Sequence, residues 1–209
     1  FFKMQMNRHR YRISLFFILG ILVSGECFAQ EQSQFALLQW QSDTESIEVI
    51  GRYGIGMFID ESMEKTFQDI RTNQDLFQLT NNPIPSASYG SKNLWANFDF
   101  KNNSPNEDAF FLNAQYGFYD EIEFFIVRSD GQVETTLMGD IFPFSHRPVD
   151  TWSFVLPFKV AHQETVSIYI RATSEELTLL RMSMNNSQSL NDNIVRDSII
   201  TSGITCAIA

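Results

Sequence analysis

MGDIFPFSHRPVDTWSFVLP, from Met138 to Pro157, is the stretch from which the rest of the chain can be read. It gathers a Gly-Asp pair, three prolines, four aromatic residues and a His-Arg pair. Pro143 and Pro148 each fix φ and remove a backbone donor, so Phe144 to Arg147 is predicted to take extended or turn backbone at the rim of a sheet. That holds Ser145, His146 and Arg147 out of regular strand pairing. Phe154 to Phe158 then resumes an apolar pattern broken by Pro157, as in a sandwich strand nearing its end. The loop reads either as a recognition element or as an architectural corner in which Arg147 bonds backbone carbonyls.

Upstream of this stretch, Ile122 to Val127 is a strand closed by Ser129-Asp130-Gly131, a hairpin signal leading into Val133 to Leu137. Before it come a strand over Ala109 to Tyr119 and the alternating run Leu94 to Phe100, which ends in the turn-rich KNNSPNED. Ser46 to Asp60 reads as one long or two short strands, with Gly51, Gly54 and Gly56 marking a bulge or bend. Phe35 to Trp40 is a first short apolar run, Ser62 to Leu79 fits a short helix or an irregular packing segment, and Asn81 to Ser91 is loop by composition. Downstream, Val166 to Arg171 alternates cleanly and Leu177 to Met184 less so. Many short strands, turns between them and no long helical period predict an all-β fold, an antiparallel β-sandwich.

The ends have a different character. Lys3, Arg8, Arg10 and Arg12 precede an apolar run from Ile13 to Val23, and Cys27-Phe28-Ala29 supplies the small residues of a cleavage site, so residues 1–29 read as a secretory signal peptide. The apolar run is shorter than the roughly 20 residues of a spanning helix. Glu26 argues against lipidation of Cys27, and Cys206 lies in an apolar tail, so no disulfide is expected within the domain. Residues 30–185 form the expected domain, 186–198 a polar juxtamembrane linker, and 199–209, uncharged and apolar, the start of a transmembrane helix or else a final soluble element.

Charge and motif spacing exclude several function classes. The 209 residues carry a formal net charge of −10, and the leader holds four basic residues against Glu26 alone, so the remainder is at −13. Such a surface repels phosphate backbones, and no nucleic-acid partner is expected. GRYGIG lacks the lysine and helix that a phosphate loop needs, so no nucleotide cofactor is expected. His146 and His162 are isolated and no cysteine accompanies them, which disfavours zinc. Asp120, Glu121, Glu123, Asp130 and Asp140 do not follow a calcium-loop spacing. Glu121 and Glu123 share one strand face, the pattern of a solvated strand as much as of a glycosidase pair. Ser145 and His146 are adjacent and no G-x-S-x-G occurs, so a Ser-His hydrolase is disfavoured, and the segment is not expected to be an enzyme.

LWANFDFKNNS, FFLNAQYGFYDEIEFFIVRSDG, GDIFPFSHRPV, FVLPF and IYIRATS, together with the order of a leader before and a helix start after, resemble the type 2 extracellular sensor domain of 7TMR-DISM receptors. The resemblance covers roughly Phe35 to Met184. It implies a jelly-roll-like sandwich similar to carbohydrate-binding modules, lying in the periplasm of a receptor of the bacterial inner membrane. Its implied partners are a small polar ligand such as a carbohydrate, the receptor's own transmembrane helices and a cytoplasmic output module of cyclase or kinase type. Trp95-Ala96-Asn97-Phe98 lacks the arginine common in the family's W-x-R-F pattern, and Asp150-Thr151-Trp152 stands where a polar or basic residue often follows R-P-V.

Aromatic faces and planar hydrogen-bonding groups hold polyols, and the loop concentrates both. The expected ligand-binding residues are Asp140, Ser145, His146, Arg147, Trp152 and Arg171, with Trp95 either a neighbour or core. The alternative is a module without a small ligand that forms a homodimer or docks a protein; a concave polar pocket near Arg147 would favour a ligand, an exposed apolar face the alternative.

Overall fold

In the computed structural model the described residues are 35–49, 54–80, 82, 84, 86–87, 90, 92–115 and 118–196. The leader and the apolar tail, read above as a signal peptide and a transmembrane start, lie outside them. The strands in chain order are β1 (Leu37–Trp40), β2 (Ser46–Glu48), β3 (Ile55–Asp60), β4 (Gln78–Thr80), β5 (Ser86–Ala87), β6 (Lys92–Asn102) and β7 (Ala109–Ala114). Then come β8 (Glu121–Val127), β9 (Val133–Met138), β10 (Phe154–Lys159), β11 (Thr165–Ser174), β12 (Thr178–Leu179) and β13 (Met182–Asn185). The run from Ser46 to Asp60 is thus two short strands, and Leu177 to Met184 also divides in two.

Two sheets make the sandwich. The larger runs β4-β3-β6-β11-β8-β9, and the smaller β10-β7-β13-β2. From β6 onward the chain moves back and forth between the sheets, so neighbours in space are distant in sequence, in the manner of a jelly roll. All pairings are antiparallel save β1, which runs parallel to β6 and shares that strand's edge with β3: β1 covers Asp99 to Asn102 and β3 covers Asn93 to Asn97.

Alternation explains which side chains fill the interior. Phe98 and Phe100 on β6, Phe124 on β8, Ile168 and Ile170 on β11, Phe110 and Leu112 on β7 and Phe154 on β10 all point between the sheets and are inaccessible to solvent. Trp40 closes one end, edge-on to Phe110 at 5.2 Å. β6 is buried on its outer face too. There Trp95 joins Phe125, Tyr169, Phe77 and Ile70 in a second apolar cluster. α1 (Phe67–Thr72) covers this cluster, with Phe67 stacked on Phe125 at 4.1 Å. A capping box starts the helix: Thr66 Oγ1 accepts from Asp69 N–H, and Asp69 accepts from Thr66 N–H. Trp95 is therefore core rather than ligand platform.

Just before α1 sits a buried carboxylate, Asp60, 2% exposed. It accepts hydrogen bonds from the Ser62 hydroxyl (2.6 Å) and N–H (3.1 Å) and from Lys65 N–H (3.0 Å). Burial opposes its ionisation, but these bonds outweigh burial and hold its pKa below the usual carboxylate value. The folded form therefore gains stability that is complete above pH ~4 and lost as pH falls through the depressed value. Asp60→Asn is expected to lower the urea midpoint at pH 7 and to shrink the loss seen on going to pH 3; an unchanged pH 7 midpoint would refute the assignment.

The hairpin of β8 and β9 turns at Gly131 with φ +87°, as the Ser-Asp-Gly signal predicts. Phe144–His146, expected to be extended or turn backbone, is a turn, a single turn of 3-10 helix that leads into extended backbone at Arg147. The polar stretch that reads as a linker is helical over 187–196, here α2. Asn186 caps it through Oδ1, which accepts from Ser189 N–H at 2.8 Å. Among the described residues no helix is long and apolar enough to cross a membrane.

Candidate functional site

Arg147, the centre of the predicted loop, is committed to the protein itself. Its side chain is only 11% exposed. The guanidinium lies 4.2 Å from the Phe154 ring centroid and 5.0 Å from that of Phe144. Nη2 donates to Asp140 Oδ1 at 2.8 Å, and Nη1 donates to the carbonyl oxygens of Thr151 (3.1 Å) and Trp152. This is the architectural corner foreseen as one of the two readings. It also fixes the backbone on which Trp152 stands.

Ser145 and His146 are exposed on the outside of this corner, and His146 stacks on Phe142 at 5.1 Å. Arg171 belongs to another surface altogether. On the outer face of the larger sheet it bonds Glu123 (3.0 Å) and Glu121 (3.2 Å), so the paired carboxylates are partners of a cation rather than an acid and base across a cleft. Asp120 accepts from Glu175 N–H at 2.8 Å. Among the described residues no group of three or more His, Cys, Asp or Glu is placed to hold a metal ion. Of the six predicted ligand-binding residues, the structure brings Asp140 and Trp152, the latter through its carbonyl, into contact with Arg147 and leaves Arg171 apart.

Trp152 leads to the cavity. The residue is 51% exposed and lines a recess of about 400 Å³ on the outer face of the smaller sheet. Pairing dictates the floor. Glu48 on β2, Ser183 on β13 and Asn113 on β7 stand side by side across three strands, and Ser46, Asn185, Gln115, Arg181 and Ser153 flank them. α2 supplies the remaining wall through Asn193 and Arg196. Side chains on the outer face of a two-sheet sandwich are usually solvated, yet Asn113 is 4%, Ser183 2% and Asn185 0% exposed.

A hydrogen-bond network organises most of this floor. Asn185 Nδ2 donates to Ser183 Oγ (3.0 Å), Gln115 Nε2 donates to the same oxygen (3.1 Å), and Asn193 Nδ2 donates to Asn185 Oδ1 (3.2 Å). The last bond ties the wall helix to the sheet. Among the described residues Asn113 Oδ1 is buried in the floor without a hydrogen-bond partner. A second cavity of about 510 Å³ beside β3 and β4 has a mixed lining, with Met57, Ile59, Leu79 and Leu94 beside Gln78, Thr80, Asn82 and Ser86.

Apart from Trp152, none of these cleft residues was predicted. Their signal was nevertheless present as alternation: Asn113 and Gln115 continue the chain beyond Phe110 and Leu112 on the opposite face, and Arg181, Ser183 and Asn185 alternate with Met182 and Met184.

The architecture is that of an all-β sandwich domain with a recessed polar face. The chain belongs to the 7TMR-DISM extracellular 2 family, whose description matches residues 53–185, more than half of the sequence. It is thus an extracellular sensor domain of that receptor family, and its parent is a membrane protein with this domain outside the cytoplasm. Among curated proteins none matches the chain.

Proposed function

We propose that the domain is the periplasmic ligand-sensing module of a bacterial seven-transmembrane receptor of the inner membrane, that it takes up a small polar ligand of carbohydrate type, and that it passes occupancy to the membrane helices and a cytoplasmic output module. The observation that carries this reading is the polar cleft over β2, β13 and β7, with an exposed indole on one side and α2 on the other. Its volume is that of an ordinary small-molecule site. A half-exposed tryptophan above a floor of amides and hydroxyls offers a ring face for stacking and planar groups for hydroxyls. Because α2 is bonded to the floor, a ligand preferring one placement of α2 would bias the receptor's helices by its differential affinity for the two placements.

Trp152→Ala tests the site. The indole is half exposed, so stability should change by less than about 0.5 kcal/mol. Thermal shift of the purified protein with mono- and disaccharides at millimolar concentration should show stabilisation that the variant loses. A sugar that stabilises both proteins equally would move the site elsewhere.

The alternative of dimerisation draws on Leu79, 59% exposed, and Ile59, 41% exposed, at the rim of the second cavity. Sedimentation of Leu79→Glu beside the parent protein would separate the two readings. A dimer lost in the variant supports association through this edge.

A further inference from the structure

We infer that the ligand of the cleft is an anionic polyol, a sugar acid or related polyhydroxy monocarboxylate, whose carboxylate is met by Arg181 and Arg196. This rests on the cleft being the ligand site. Among the described residues two arginines line it against one carboxylate, Glu48, on a chain whose net charge is −10. Among the described residues neither arginine forms an ion pair, whereas Arg128, Arg147 and Arg171 each do. Among the described residues the one side-chain bond of Arg196 is to the Asn193 amide oxygen at 3.1 Å. Unpaired guanidinium groups in a recess are ready forks for a carboxylate.

The rest of the lining sets the remainder of the ligand. It consists of neutral amides and hydroxyls, among them Asn113, whose buried Oδ1 lacks a donor that a ligand hydroxyl could supply after a small shift of the amide. Among the described residues Trp152 is the one aromatic wall, enough to cover a ring face. Two cations make the recess unsuited to a metal ion, and a neutral sugar would leave both guanidinium groups unmatched. The arginines also come from different parts of the fold, Arg181 from the lead into β13 and Arg196 from α2, so a carboxylate bridging them would join helix to sheet.

Titration calorimetry of the purified protein with matched pairs, glucose and glucuronate, galactose and galacturonate, with gluconate and acetate as single probes, reads this directly. The acid of at least one pair should bind about tenfold or more tightly than its neutral partner, and acetate should not bind. Arg181→Gln and Arg196→Gln, both at exposed positions, should each reduce acid affinity about tenfold, and by a larger factor than any change in neutral-sugar affinity. Glu48→Gln should raise acid affinity. Neutral sugars binding as tightly as their acids, or acid binding that survives both arginine substitutions, would overturn the anionic class; loss of that binding in Trp152→Ala would still keep the cleft as the site. If no sugar of either kind binds, the class and the site fall together.

Discussion

Gly139→Ala is expected to cost the domain about 3 kcal/mol or more, and to lower its melting temperature by about 6–12 °C. A Cβ on Gly139 would stand 2.0 Å from the Asp120 carbonyl oxygen and 2.8 Å from its carbon. Both are backbone atoms, so no side chain can swing aside. The same contact zone carries the bond from Asp140 N–H to Tyr119 O at 2.9 Å, which starts the Pro-rich loop. Separation of the two segments would loosen the start of β8 and the loop together. Differential scanning calorimetry of the variant measures the loss; a melting temperature within about 2 °C of the parent's would show that the chain can part here at little cost.

Arg147→Ala should destabilise by about 2–4 kcal/mol, because one truncation removes two ring contacts, two charge-assisted bonds to carbonyls and the pair with Asp140. Arg147→Lys keeps the charge without the planar fork and should fall between the two. Asp140→Asn should matter little, since that side chain is 43% exposed. If the corner acts on ligand only by holding the backbone of Trp152, still-folded Arg147→Lys should weaken sugar binding in proportion to its loss of stability, and Trp152 fluorescence should report a changed indole setting. Full stability with abolished binding would instead make Arg147 a direct ligand contact.

The sandwich was legible because several strands carry a period of two and the turns their own chemistry. LWANFDF alternates, Ser-Asp-Gly turns, and the aromatic residues so placed do meet between the sheets. The site was less legible for a physical reason. Its floor is assembled from β2, β7 and β13, which are far apart along the chain, and alternation shows that a residue faces outward without showing which outward residues are neighbours. The Pro-rich loop drew attention because shape-fixing residues and a cation were dense there, but its arginine turned out to satisfy the loop's own carbonyls, leaving Trp152 to reach the cleft. α2 was hidden by composition. Asn186 is a good N-cap, yet the polar residues after it give no strong apolar period, and the helix gains its place from side-chain amide bonds and Leu190.

That thin hold gives α2 a dynamic signature of its own. Leu190 is the one buried side chain in residues 187–196, while β6 and β11 are locked on both edges and under two layers of aromatic residues. Opening of α2 should therefore require far less free energy than global unfolding, and its amide protons should exchange with solvent well ahead of those in the central strands. A bound molecule bridging sheet and helix would slow exchange in α2 alone. Occupancy would then be written as the lifetime of one short helix rather than as a change of shape in the sandwich.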